Sequence, residues 1–157
     1  MWLPAVLTVL SGQSRHPEAI VGVDAGSTDT SARILTESLG ADRVIMLPSA
    51  GELPSFGASV QTGLASGVLR SDTDEAFDIE TTEWVWLLHD DSAPASDCLE
   101  ILLAAADTYP RAAILGPKAL GWHDRRLLLE LGFSITGSGR RTTGLERREH
   151  DQGQHDE

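Results

Sequence analysis

Short apolar runs and longer amphipathic stretches take turns along this chain. Three apolar runs have the length of strands, at residues 20–23, 43–47 and 84–88. Stretches with helical spacing of apolar residues stand before or between them, at residues 2–10, 27–39 and 55–69. Alternation of strands and helices is typical of a parallel sheet. We therefore expect an α/β fold with a mostly parallel sheet and helices on both faces.

Punctuating residues support these boundaries. Ser27 or Thr28 can cap the second helix, and Gly40 stands where a helix-ending glycine is favoured. The helix at 55–69 has an apolar residue at every fourth position, and its glycines Gly57, Gly63 and Gly67 either disfavour the helix or mark close packing. Later segments predict a further helix, a strand, an extended stretch and a tight turn, at residues 94–106, 112–115, 127–136 and 137–139.

Domain organisation follows from where this alternation stops. Residues 1–139 carry the predicted elements, so we expect one α/β domain there. Residues 140–157 are polar and charged, and they predict a mobile tail. The apolar start of the chain has no basic leader and is too short to span a bilayer, so no membrane segment is expected.

Charge and cysteine content narrow the classes of partner. The net charge of −12 disfavours nucleic acid and anionic membrane surfaces as partners. A negatively charged ligand then needs local help from a metal ion or from helix N-termini. The single cysteine, Cys98, excludes an internal disulfide, reads as a buried apolar residue, and fits a reducing, cytoplasmic location.

The first candidate site follows the strand at 20–23. Asp24 ends that strand, and Gly26 and Ser27 lead into the next helix. Free N–H groups at a helix start, with a glycine that lets a ligand approach the backbone, suit a phosphate or a ribose. In the simpler interpretation, Ser27 and Asp29 only cap the helix.

The second candidate site follows the apolar run at 84–88. His89, Asp90 and Asp91 stand at its end, where a strand covered on both faces would bury them. Two adjacent carboxylates that lose solvation need a cation, and Mg²⁺ or Mn²⁺ suits oxygen ligands. In the alternative interpretation, one Asp caps a turn and the other is solvated. His89 is then a ligand, a phosphate donor or an ordinary strand-end histidine.

Both sites resemble motifs of glycosyltransferase family 2. Residues 23–29 (VDAGSTD) are similar to that family's VDNGSTD turn, and residues 87–94 (LLHDDSAP) to its D-x-D segment. Residues 113–118 and 151–156 resemble a bacterial branch that builds cell-envelope polysaccharide. The motifs stand in the family's order, and the resemblance covers nearly the whole chain.

The resemblance implies a GT-A fold, a nucleoside-diphosphate sugar donor, a divalent metal and a glycan or lipid-linked acceptor. Asp24, Gly26, Ser27 and Asp90 would bind the nucleotide, and Asp91 would bind metal and diphosphate. His89 replaces the first D-x-D aspartate and is a second metal-ligand candidate. For the location we expect the cytoplasm, at the inner face of the membrane for a full-length parent.

The chain departs from the family pattern at its ends. It starts at the helix that follows the family's first strand, and it stops before the acceptor half that supplies the catalytic base. The resemblance therefore predicts a fragment that carries the donor side. No residue of this chain is assigned as the base; Asp151 and His155 are polar enough to reach a ligand, but lie in the predicted tail.

Three other functions remain open at this level. A truncated, non-catalytic remnant would fold poorly, or would bind nucleotide without turnover. A receiver-like signalling domain has a similar sheet and a late lysine that Lys118 matches, but its acceptor Asp is missing where the strand at 43–47 meets Pro48. A nucleotidyltransferase of related fold carries a basic, glycine-rich loop after its first strand, and the region that would hold this loop is not in this sequence.

Overall fold

The computed structural model describes residues 2–48, 54–69 and 82–155. The described part is mixed α/β, with four α-helices and small, partly parallel sheets. In chain order the elements are α1 (Leu3–Ser11), β1 (Gly22–Asp24), α2 (Ser31–Leu39), β2 (Val44–Met46), α3 (Phe56–Ala65), α4 (Cys98–Thr108), β3 (Ala119–Leu120), β4 (Leu128–Glu130), β5 (Ser134–Ile135) and β6 (Arg141–Thr142). No helix among the described residues has both the length and the apolar character needed to cross a membrane.

The chain divides into two compact units, Met1–Leu99 and Glu100–Glu157. The helix α4 begins at the end of the first unit and continues into the second. The boundary that the sequence predicts after residue 139 stays a prediction.

The parallel pair β1–β2 organises the first unit. Gly22 pairs with Val44 and Asp24 with Met46, and the connection between the strands contains α2 and a 3₁₀ turn at Ala41–Arg43. The predicted β-α-β order is confirmed here. Its cause is the amphipathic helix between two short apolar strands, because parallel strands need such a crossover.

Two glycines allow helices to approach β1 closely. A Cβ added at Gly22 would lie 3.0 Å from Leu39 Cδ1 of α2, and one added at Gly63 of α3 would lie 3.2 Å from Val23 Cγ2. Successive strand residues point to opposite faces, so α2 meets the face that carries Gly22 and α3 the face that carries Val23. Close packing, one of the two alternatives for the glycines of this predicted helix, is found at Gly63 and at neither of the other two.

A buried glutamine joins the end of α1 to the segment before α4. Gln13 is 3% exposed. Its amide nitrogen donates to the carbonyls of Val9 (3.2 Å) and Ala95 (2.7 Å), and its Oε1 accepts from the Leu99 N–H at 3.2 Å. Leu99 is the second residue of α4, so this bond satisfies one of the N–H groups that a helix leaves unpaired at its start.

Two predicted strands are wrong. Residues 84–88 and 112–115 are neither helix nor strand. Val85 is 53% exposed and Leu87 is 51% exposed, which differs from a strand covered on both faces. Among the described residues, β1 pairs only with β2, so the run at 84–88 has no ladder of backbone hydrogen bonds. An apolar composition is compatible with a strand, but a strand also needs a neighbouring strand for its backbone hydrogen bonds.

The second unit consists of small antiparallel pairs. β3 pairs with β4, and β5 pairs with β6 across the predicted turn at 137–139, which is confirmed. The segment after β6 returns to β4: Leu127 bridges to His150, and the Leu128 N–H donates to the Glu149 carbonyl at 2.9 Å. Part of the predicted tail therefore has backbone partners.

Candidate functional site

The turn after β1 is held by the Asp24 carboxylate. Asp24 is buried, and its Oδ2 accepts hydrogen bonds from the N–H groups of Gly26 (3.3 Å) and Ser27 (3.1 Å). Gly26 has φ +89°, a conformation that side-chain-bearing residues rarely adopt. The sequence predicts free N–H groups here that bind a ligand, whereas in the structure the N–H groups of Gly26 and Ser27 donate to the carboxylate of the same turn. Asp24 thereby fixes the shape of the turn at the carboxyl end of β1.

The start of α2 is separate from this turn. The helix begins at Ser31, so Ser27 lies outside its first turn and does not cap it. Asp29 Oδ1 accepts from the Ser31 N–H at 2.9 Å. Hydrogen bonds from the Ser31 side chain and backbone lower the pKa of Asp29. The N-cap of α2 is Thr30, and its side chain makes no capping bond, so the predicted caps Ser27 and Thr28 are wrong. Asp29 satisfies the N–H of the first helical residue from one position before the cap.

Residues 89–92 form a tight turn closed by serine. The Ser92 N–H donates to the His89 carbonyl at 3.2 Å. Ser92 Oγ accepts from the His89 N–H at 3.1 Å and donates to the His89 carbonyl at 2.9 Å. These bonds use the backbone of the turn, and they leave the side chains of Asp90 and Asp91 at its two central positions.

Three potential ligands converge at this turn. One ligand atom each from His89, Asp90 and Asp91 lies within 4.8 Å of the others. His89 Nδ1 is 3.3 Å from Asp90 Oδ1 and 3.7 Å from Asp91 Oδ1. Ligands at 2.0–2.1 Å in an octahedral shell lie about 3 Å apart, so small side-chain movements bring these atoms onto one cation.

The burial predicted for these residues is wrong. The side chains of His89, Asp90 and Asp91 are 57%, 71% and 66% exposed. The cause is the preceding run at 84–88, which does not form the covered strand that would have buried them. Water therefore solvates both carboxylates, and the argument that desolvation requires a cation no longer applies. What remains is the proximity of three ligands.

An aromatic ring supports the histidine. Phe56, the first residue of α3, stacks on His89 with ring centroids 4.6 Å apart and an angle of 19° between the planes. The stack orients the imidazole from the side of α3 while Nδ1 faces the carboxylates. The sequence assigned Phe56 to an apolar stripe with Val60, Leu64 and Val68, and gave no signal of this contact.

The two predicted sites do not merge into one ligand set. Asp24 and the group at His89, Asp90 and Asp91 all belong to the unit Met1–Leu99, but Asp24 is not a member of that group. Asp24 is buried in its own turn, and the other three residues are exposed. A ligand that uses both sites has to be long enough to contact each.

A second set of charged residues lies in the other unit. Lys118 Nζ is 2.7 Å from Asp151 Oδ2, and this bond is the main cause that lowers the pKa of Asp151. Glu149 accepts from the Glu146 N–H, His155 and Gln154, which lowers its pKa from 4.5 to about 2. These contacts hold residues 149–155 in place. Sequence reasoning singled out Asp151 and His155 but missed Glu149.

Two hollows among the described residues lie away from the predicted sites. One hollow of about 460 Å³ lies between α1 and α2, with Leu7, Ile34 and Arg43 among its lining residues. A shallower one surrounds Tyr109 and Leu115. Neither contains Asp24 or the three residues at 89–91.

Comparison of the chain with protein-family models, with curated proteins and with solved structures finds no match.

Proposed function

We propose that this chain carries the donor side of a metal-dependent glycosyltransferase with a GT-A-like fold. Its ligand is a nucleoside-diphosphate sugar, and its cofactor is Mn²⁺ or Mg²⁺. The sugar is transferred to a cell-envelope glycan or a lipid-linked acceptor. The observation that carries this proposal is the convergence of His89, Asp90 and Asp91 at one turn, in a segment that resembles the D-x-D motif.

The chemistry of the three potential metal ligands favours a hard cation. Two carboxylate oxygens suit Mg²⁺ and Mn²⁺, and the imidazole nitrogen favours Mn²⁺ over Mg²⁺. Few protein ligands are an advantage here, because diphosphate oxygens complete the shell. The exposure of the turn agrees with this role, since the donor has to reach the metal from solvent.

The turn at Asp24 supports the nucleotide end of the proposal. Ligands of open α/β sheets bind outside the carboxyl ends of the strands, and Asp24 ends β1. Its Oδ2 holds the turn, and Gly26 removes a side chain where the base or ribose is expected. We therefore assign Asp24, Gly26 and Ser27 to shaping the nucleotide pocket and Asp90 and Asp91 to the diphosphate end.

The proposed reaction is displacement at the anomeric carbon of the donor. A bound divalent cation stabilises the charge that develops on the leaving diphosphate. This chain's residues orient the donor: the turn at residues 89–92 holds the carboxylates, and the Phe56 ring holds His89. The base that deprotonates the acceptor hydroxyl is not assigned to a residue of this chain.

Manganese binding is the direct test. Free Mn²⁺ is followed by electron paramagnetic resonance as the chain is added, with and without uridine, guanosine and thymidine diphosphates. One nucleotide should increase Mn²⁺ binding, because its phosphates supply the remaining ligands. Asp91→Asn should remove most of this increase while circular dichroism stays unchanged.

The matched control is Asp97→Asn, which changes another exposed carboxylate shortly after the turn. It should bind Mn²⁺ as the unchanged chain does. If Asp91→Asn and Asp97→Asn behave alike, the metal assignment is wrong. If Mn²⁺ binds at the turn and no nucleotide strengthens it, the site is a cation site without a donor function.

A further inference from the structure

A hollow in the first unit is lined mainly by apolar side chains. Its volume of about 460 Å³ falls in the range of about 300–1,000 Å³ that is typical of small-molecule sites. Its walls come from α1, α2 and the residues shortly before β1 and β2, and its apolar lining residues are Pro4, Leu7, Leu10, Ile20, Ile34 and Leu39. The residues of the proposed donor site are not among those that line it, so the hollow has no part in the proposed function.

One face of α1 forms the first wall. Four lining residues of this helix are spaced by three and four positions and therefore share a face: Pro4, Leu7, Thr8 and Ser11. Val6, which is 5% exposed, lies on another face. The two hydroxyl groups offer no free donor, because Thr8 Oγ1 donates to the Pro4 carbonyl at 2.8 Å and Ser11 Oγ donates to the Thr8 carbonyl at 2.9 Å. This wall therefore presents mainly hydrocarbon to the hollow.

The other wall comes from α2 and from the segment before β1. Ile34 and Ser38 are one helical turn apart on α2, so they share a face. Ile20, Ile34 and Leu39 are each half-buried, as is Leu7 in the wall formed by α1. Each of these side chains keeps apolar surface that a ligand can cover. Burial of hydrocarbon strengthens binding by about fourfold for each methylene group.

Arg43 is the charged residue among those that line the hollow. It ends the 3₁₀ turn at Ala41–Arg43, and it is exposed. The other two arginines that the structure describes in this unit, Arg15 and Arg33, each pair with a glutamate at 2.8 Å. Within the described ranges, Arg43 has no such pair. A cation without a carboxylate partner therefore stands beside the apolar walls.

We propose that this hollow binds a single-chain anionic amphiphile, with the ligand's carboxylate at Arg43 and its hydrocarbon chain between α1 and α2. A guanidinium group donates two parallel hydrogen bonds to a carboxylate, which fixes the head of such a ligand. The apolar walls take up methylene groups, which need no hydrogen-bond partner. A fatty acid of medium length has both parts.

Charge favours a single ligand molecule over a membrane or a second copy of the chain. The first unit contains four of the twelve basic residues but fifteen of the twenty-four acidic residues. An anionic bilayer or a second copy brings many negative charges to this unit, and like charges repel. A fatty acid brings one negative charge and places it beside Arg43, well within the Debye length of about 8 Å at physiological ionic strength.

Isothermal titration calorimetry with decanoate, below its micelle concentration, tests the proposal. One molecule should bind per chain, and the shorter hexanoate should bind much more weakly, because each methylene group contributes about fourfold. The uncharged 1-decanol should bind more weakly than decanoate. Arg43→Gln should weaken decanoate binding by about fivefold, the upper value for an exposed ion pair, and leave 1-decanol binding unchanged. Ser38→Trp, at an exposed position that lines the hollow, should abolish binding of both.

The matched controls are Arg33→Gln and Glu37→Trp, which change exposed residues of α2 that do not line the hollow. Both should bind decanoate as the unchanged chain does. Absence of decanoate binding, equal affinity for decanoate and 1-decanol, equal losses in the controls, or binding that survives Ser38→Trp would each overturn the proposal.

A dimer in sedimentation velocity that Ser38→Trp dissociates would also overturn it, because a second copy of the chain would then occupy the hollow. If Ser38→Trp fails to fold, Arg43→Gln, which changes an exposed side chain, still decides through the preference for decanoate over 1-decanol. The titration contains neither metal nor nucleotide, so its result is independent of the proposed function.

Discussion

Replacing Gln13 by leucine should destabilise the first unit strongly. The side chain is 3% exposed and makes three hydrogen bonds, to the carbonyls of Val9 and Ala95 and from the Leu99 N–H. Leucine has similar volume and makes none of them. The variant therefore tests whether hydrogen bonding, rather than packing, joins α1 to the start of α4.

The expected cost follows from the groups that lose a partner. The Leu99 N–H is buried, and a buried donor without a partner costs about 1–3 kcal/mol. The Ala95 carbonyl keeps its bond from the Cys98 N–H at 3.1 Å, so the lost bond to Gln13 adds about 1 kcal/mol. We expect Gln13→Leu to lower the free energy of unfolding by about 2–4 kcal/mol.

Urea titration followed by circular dichroism measures this change. Gln61→Leu on the exposed surface of α3 is the control, with an expected change within about 0.5 kcal/mol. Gln13→Glu keeps an acceptor for Leu99 but places a carboxylate against the Ala95 carbonyl, so it should also destabilise. A Gln13→Leu variant as stable as the control would show that the three hydrogen bonds of Gln13 make no net contribution to stability.

Three further outcomes are expected. Gly63→Val should lower the melting temperature through about 1–3 kcal/mol of overpacking against Val23, whereas Gly57→Val, with open space around it, should not; equal effects would contradict the close approach of α3 to β1. Gly26→Ala should lower the free energy of unfolding by about 1–2 kcal/mol, because a φ of +89° is unfavourable for alanine. An unchanged denaturant titration would contradict this conformation of Gly26. The depressed pKa of Glu149 contributes stability that is present above about pH 4.5 and is lost as pH falls towards about 2. Glu149→Gln should weaken this pH dependence of stability. If NMR shows that the Glu149 carboxyl of the unchanged chain titrates near pH 4.5, its hydrogen bonds do not form.

Local pattern predicted the first half of the chain well. The strands β1 and β2 and the helices α1, α2 and α3 all lie within or beside the predicted stretches. Each depends on neighbours in sequence: helical spacing, a glycine at a helix end, or the Ser55 cap, whose Oγ accepts from the Ala58 N–H. Such signals act over one or two turns, so a sequence reader can use them.

Partners distant in sequence could not be predicted in this way. The run at 84–88 has the composition of a buried strand, but strand formation depends on a neighbouring strand that composition does not specify. The stacking of Phe56 on His89 and the bonds of Gln13 to Ala95 and Leu99 likewise join residues far apart in the chain. The sequence around Phe56 or Gln13 does not indicate which distant residue each of them contacts.

The candidate site divides along the same line. The identities of His89, Asp90 and Asp91, and their closeness, follow from adjacency in the sequence. Their exposure does not, because it depends on the packing of the preceding segment. At Asp24 the sequence located the turn, while the use of its carboxylate to hold Gly26 and Ser27 became visible only in three dimensions.

A thermal melt with Mn²⁺ and a panel of nucleoside diphosphates tests the central claim most directly. Ligand at about a hundred times its dissociation constant adds roughly 2.7 kcal/mol to the stability of the folded state. One nucleotide should raise the midpoint when Mn²⁺ is present, and neither Mn²⁺-free buffer nor Asp91→Asn should give this shift. A cooperative melt that no nucleotide shifts, or a shift that is the same without Mn²⁺, would contradict a metal-dependent donor site.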